Sequence, residues 1–170
     1  DEDTGALLAT VQHDLQPNDP NRPDKLLVTR YVYDEDFDHQ KQGHRVLRFT
    51  LSPAGAVTEY RYDAEGLPKS KRTYLAAGYD LSALQSPEDI PTLTQMMTWA
   101  GKQPASQIQL QDLSYNDRGQ EEAHTEYVSI APDGTGIAKG AKETRTTWRP
   151  DGRWTEREVS QSDTEKLRTE

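Results

Sequence analysis

A hairpin frame recurs along this chain and constrains it more than any other feature. Tyr60-Arg61-Tyr62-Asp63-Ala64-Glu65-Gly66-Leu67 and Leu113-Ser114-Tyr115-Asn116-Asp117-Arg118-Gly119-Gln120 share one order: an aromatic or apolar residue, any residue, Tyr, an acid or amide, two turn residues, then Gly. Tyr31-Val32-Tyr33-Asp34 opens in the same way, but the stretch that follows, as far as Gly43, is too long for a tight turn and reads as a bulged or protruding loop. Weaker echoes are Ile130-Ala131-Pro132-Asp133-Gly134 and Thr147-Trp148-Arg149-Pro150-Asp151-Gly152. Residues at i and i+2 of a strand lie on one sheet face and meet the same positions of neighbouring strands. The acid or amide after the second Tyr accepts hydrogen bonds from turn amides, and Gly supplies the positive φ that closes the hairpin. A hairpin cannot bury its own face, so such units must accumulate into a longer sheet. The positions that define the frame are Tyr31, Tyr33, Asp34, Tyr60, Tyr62, Asp63, Gly66, Tyr115, Asn116 and Gly119.

The rest of the chain is consistent with that frame. Residues 6–13 lean apolar, and Pro17, Pro20 and Pro23 among Asn and Asp then dictate a loop. Residues 26–33, 57–62, 69–74, 108–115 and 122–130 carry strand signals. Residues 45–51 do so too, with alternation placing Leu47, Phe49 and Leu51 on one face. Ser52-Pro53-Ala54-Gly55 is a turn, and residues 142–149 and 153–160 flank Pro150-Asp151-Gly152, a signal for a two-residue hairpin loop. The middle departs from the pattern. Ser86-Pro87-Glu88-Asp89-Ile90-Pro91 stacks helix-start signals, and the spacing of Leu93, Met97 and Ala100 predicts a helix over residues 91–100. Asp89 is the expected N-cap, since proline fits the first turn, and Leu93, Met97 and Ala100 are the expected sheet-covering face. The fold class is therefore mainly β: an antiparallel meander of hairpins with one inserted short α-helix. It reads as one segment over residues 1–170, with the helical insertion over about 80–105 and a frayed tail over about 161–170.

On these motifs the chain resembles the YD-repeat, or RHS (rearrangement hotspot), proteins of bacteria. The best match is the stretch over residues 52–66, ending in Tyr60-Arg61-Tyr62-Asp63-Ala64-Glu65-Gly66, and Tyr115 to Gly119 is the second. The resemblance covers roughly residues 26–74 and 108–130, and the long first turn departs from it. It implies a segment of a large secreted or surface protein whose repeats wind into a β-shell that can enclose a toxin, with neighbouring repeats or an enclosed polypeptide as partners. Some relatives are credited with carbohydrate binding. Localisation outside the cell or at its surface follows from the resemblance alone.

Composition narrows the remaining classes. Leu, Val, Ile and Phe number 15, 7, 4 and 2, about 16% of the chain, below the ~20% at which a highly charged chain is expected to stay disordered. With so few aliphatics, the 8 Tyr and 3 Trp are expected inside, between strands. A formal net charge of −9 opposes phosphate backbones, so nucleic acid is not an expected partner. No apolar run is long enough for a membrane span or a signal peptide, and the chain opens on Asp1, which reads as a processed or excised piece. The absence of Cys excludes disulfides, thiolate zinc sites and a cysteine nucleophile.

Candidate sites are sparse. Asp34, Asp36 and Asp38 alternate as cation ligands would, yet His39 and Arg45 stand where a calcium loop needs Gly and Glu, so a solvated loop is the favoured reading. Glu59, Glu126 and Glu156 read as cross-strand partners of Lys and Arg rather than a glycosidase pair. No serine-nucleophile elbow or phosphate-cradling loop is present. Neither catalysis nor a cofactor is expected. Trp148 and Trp154 flank a hairpin turn and would offer sugar rings a stacking platform if exposed. Three functional expectations follow: a non-catalytic shell or scaffold segment, a carbohydrate-binding or adhesive module, and a small acidic periplasmic or immunity-type protein.

Overall fold

A computed structural model describes residues 6–14, 25–35, 45–76 and 78–163, without the side chains of residues 13, 14 and 25. Among the described residues, nine strands form one open antiparallel sheet in chain order: β1 (Ala9–Asp14), β2 (Lys25–Asp34), β3 (Val46–Leu51), β4 (Val57–Tyr62), β5 (Pro68–Tyr74), β6 (Ile108–Tyr115), β7 (Glu121–Tyr127), β8 (Lys142–Trp148) and β9 (Trp154–Gln161). One helix, α1 (Leu93–Ala100), interrupts them between β5 and β6, and a short 3₁₀ turn, Ala105–Gln107, leads into β6. The expected mainly β meander with one inserted helix is what forms. No helix among the described residues is long and apolar enough to cross a membrane. The chain divides into two compact units, residues 1–58 with 77–102, and residues 59–76 with 103–170.

In the first unit, Val28, Val32, Val46, Phe49, Leu51, Val57 and Met96 are the buried apolar residues. The alternation expected to bury Leu47 is broken by a bulge. Val32 pairs with Phe49 but Tyr33 pairs with Leu47, so Arg48 is the extra residue and Val46 is buried while Leu47 is only half-buried. Helix α1 lies against β2. It begins two residues later than its sequence suggests, because Thr92 and not Asp89 is the N-cap. The Thr92 hydroxyl accepts from the Gln95 amide N–H at 3.2 Å, and the Gln95 side chain accepts from the Thr92 N–H at 2.7 Å. This Thr-x-x-Gln capping box was present in the sequence. Its register turns Met96 inward, fully buried, and leaves Met97 53% exposed, so the expected inward face is corrected by one position. Asp89 serves the preceding turn, accepting from the Ser86 N–H at 2.8 Å. The buried Arg30 guanidinium ties that turn to β2, donating to the carbonyls of Asp89 at 2.8 Å and Ser86 at 3.1 Å.

In the second unit, cross-strand register assigns the faces. Tyr74 lies opposite Ile108, Arg72 opposite Leu110, and Leu110 opposite Tyr127, so these residues share one face. The segment over residues 129–138 folds back over that face. Arg72 donates to the Gly134 carbonyl at 3.0 Å, and Ile130, Ala131 and Ala138 are buried. Gly136 seats against the Tyr127 ring so closely that a Cβ there would lie 2.4 Å from ring carbons, which no side chain tolerates. β7 ends at Tyr127, earlier than expected, and Ile130 instead bridges to Gly136. β9 extends through Gln161, and Ser162 exchanges backbone hydrogen bonds with Gly140 and Ala141, while residues 164–170 of the expected frayed tail lie outside the described residues.

Candidate functional site

The repeat frame becomes a single piece of backbone geometry used five times among the described residues. In the turns over residues 52–56, 63–67, 116–120, 131–135 and 149–153, the N–H of the first residue donates to the carbonyl of the fifth at 2.7–3.0 Å. In each, the fourth residue is Gly with φ between 71° and 90°, and its N–H donates to the first carbonyl at 2.8–3.1 Å. This is a type I turn followed by a left-handed glycine, the three-residue hairpin loop. No non-glycine residue among those described has a positive φ, so the expected two-residue loop at Pro150-Asp151-Gly152 is corrected to this same form.

Side chains lock the turns in two ways. Asp63 Oδ1 accepts from the N–H groups of Glu65 and Leu67 at 3.0 and 2.8 Å, and Asn116 Oδ1 accepts from those of Arg118 and Gln120 at 3.0 and 3.1 Å. In the two Pro-Asp-Gly turns the carboxylate comes from the third residue: Asp133 accepts from the Thr135 N–H and Asp151 from the Arg153 N–H, both at 3.0 Å. The backbone and hydroxyl donors of Thr135 hold the Asp133 carboxyl below its ordinary pKa.

The repeat tyrosines are not the centre of the interior. Tyr31, Tyr33, Tyr60, Tyr62 and Tyr115 are half-buried, whereas the buried tyrosines are Tyr74 and Tyr127, outside the frame. Tyr31 and Tyr33 alternate with buried Arg30 and Val32, and Tyr60 alternates with buried Val57 and Glu59. Tyr33 donates to the Leu7 carbonyl at 3.0 Å, and Arg45 sits 5.7 Å from its ring centroid. Burial, then the Glu121 and Asp63 charges, raise the Tyr115 phenol pKa.

The remaining candidates fall in separate places. Trp148 lies opposite Trp154, but Trp148 is half-buried with its indole N–H given to the Glu121 carbonyl at 2.8 Å, while Trp154 is 65% exposed and is the one exposed aromatic among the described residues. Asp34 ends β2 and lies 3.9 Å from the Arg48 guanidinium, whereas Asp36, Asp38 and His39 lie outside the described residues. The described residues contain no group of three or more His, Asp and Glu arranged to hold a metal. Glu59 is buried, and its partners include Arg61 at 2.9 Å on its own strand and the Tyr74 hydroxyl at 2.6 Å.

A surface groove of about 500 Å³ crosses β5 to β9 on the face opposite Tyr74 and Leu110. Its row of long polar side chains follows directly from register. Lys71 pairs with Gln111, Gln111 with Glu126, Glu126 with Lys142, and Lys142 with Gln161. Sequence reading took Glu126 alone and missed the row, because the pairing that aligns five strands is non-local. No family model and no curated protein matches the chain.

Proposed function

We propose that this chain is a non-catalytic structural segment of a bacterial surface or secreted repeat protein of the YD/RHS kind, contributing hairpins to a shell or scaffold. The observation that carries this reading is one turn geometry used five times among the described residues, four of them joining neighbouring strands of a sheet whose strands follow in chain order. A repeat that restarts the same hairpin adds strands without a new topology, so the sheet is extended by tandem units. The ends of the sheet support it as well. β9 is an edge strand with every residue exposed, and its unpaired backbone groups suit a further strand.

The test is the coding sequence on either side of this segment. Further copies of the Tyr-x-Tyr-Asp-x-x-Gly frame in the same reading frame are expected. A reading frame without any such copy overturns the proposal and favours a small stand-alone protein.

A further inference from the structure

We propose that the groove across β5 to β9 recognises an extended peptide segment carrying two acidic residues four positions apart with a basic residue between them. Lys71, Gln111, Glu126, Lys142 and Gln161 form one straight row perpendicular to the strands, each directly opposite the next. Adjacent strands are about 4.8 Å apart, so Lys71 and Lys142, three strands apart, stand about 14 Å apart at their backbones. An extended peptide lying along the row advances about 3.3 Å per residue, so four residues cover about 13 Å, and residues i, i+2 and i+4 point to the same side. Acidic side chains at i and i+4 then meet the two lysines, and a basic one at i+2, about 6.6 Å along, falls between Gln111 and Glu126, where a long side chain reaches the Glu126 carboxylate.

The groove's other groups suit a polypeptide. Gln109, Gln111 and Gln161 line it, and each carboxamide offers a donor and an acceptor, as a peptide group does. Among the described residues, Lys71, Gln109, Gln111, Glu126, Lys142 and Gln161 engage no side-chain hydrogen bond or ion pair, so recognition breaks no internal contact. A sugar ligand is disfavoured because no exposed aromatic ring lines the groove. Trp154 is not among its lining residues, and Tyr127 is 5% exposed. The chain's net charge of −9 would repel acidic peptides elsewhere, which makes the two lysines a local exception.

The experiment is fluorescence anisotropy on the 170-residue chain with a fluorescein-labelled synthetic peptide containing Glu-Thr-Lys-Thr-Glu at low salt. Saturable binding is expected, weakened about tenfold or more by Lys71→Glu with Lys142→Glu, and less than about twofold by Lys69→Glu, which lies on the same strand outside the groove. Adding Glu126→Lys to the double variant is expected to transfer binding to the charge-swapped peptide Lys-Thr-Glu-Thr-Lys. These are exposed positions, and far-ultraviolet circular dichroism checks that the sheet is intact. Absence of saturable binding, an equal loss with Lys69→Glu, or preferential binding of an oligogalacturonate in place of the peptide overturns the proposal.

Discussion

The Tyr74 hydroxyl donates to the Glu59 carboxylate at 2.6 Å, and both side chains are buried. Burial first, and the neighbouring Glu59 charge second, push the Tyr74 phenol well above its ordinary pKa of 10.0. The fold therefore favours protonated Tyr74. Its contribution is fully present below pH about 10 and is lost as pH rises beyond that value, because the unfolded chain releases the proton first. Tyr115, also raised, acts in the same direction. Tyr74→Phe is expected to destabilise the protein at neutral pH by about 1–3 kcal/mol through the lost donor to a buried carboxylate. It should also flatten the alkaline loss of stability. Urea melts of both proteins from neutral to alkaline pH check this, and parallel curves would count against it.

The shared turn geometry predicts shared costs. Gly66→Ala and Gly119→Ala each force a side chain into the left-handed region and should cost about 1–2 kcal/mol. Asn116→Ala should cost about 1 kcal/mol for two lost backbone contacts. Gly152→Ala sits in the hairpin to the exposed edge strand β9, so it should move the global melting midpoint less and instead speed amide exchange in β9. Equal shifts of the midpoint at all three glycines would show that β9 unfolds with the rest.

Met96 and Met97 are adjacent in sequence and opposite in environment, 0% and 53% exposed. Met96→Ala should cost about 2–5 kcal/mol as a cavity in the first unit, and Met97→Ala should stay within about 0.5 kcal/mol. Thermal melts of the two variants separate this register from the one expected with an Asp89 cap.

Gly136 and Tyr127 provide a coupling test. Gly136→Ala should destabilise by about 1–3 kcal/mol, because the new Cβ overlaps the Tyr127 ring. Tyr127→Leu removes the ring carbons in conflict, so the double variant should be clearly less destabilised than the sum of the single ones. Strict additivity would mean that the strain lies elsewhere.

Local chemistry made much of this architecture legible. Gly66 and Gly119 behind Asp63 and Asn116 specify a turn from within five residues, and alternation over six to eight residues specifies the strands that flank it. The helix was legible too, but its start was misplaced. Several helix-start signals compete between Ser86 and Thr92, and only packing against β2 selects which one caps. The fate of Leu47 was hidden for a related reason, since a bulge at Arg48 exists only in relation to the partner strand.

By itself, the sequence determined a β-rich chain of short antiparallel hairpins with a helical interruption, because turn and strand preferences act over a few residues. Tertiary structure decided which alternate set of residues faces inward. Apart from Val57 and Pro68, both sets in β4 and β5 are polar or aromatic, so composition does not distinguish buried Glu59, Ser70 and Tyr74 from half-buried Tyr60 and Tyr62. It also decided that Lys71, Gln111, Glu126, Lys142 and Gln161 stand in one row. That alignment is set by hydrogen-bond register across five strands spread over about 90 residues, which no local preference encodes.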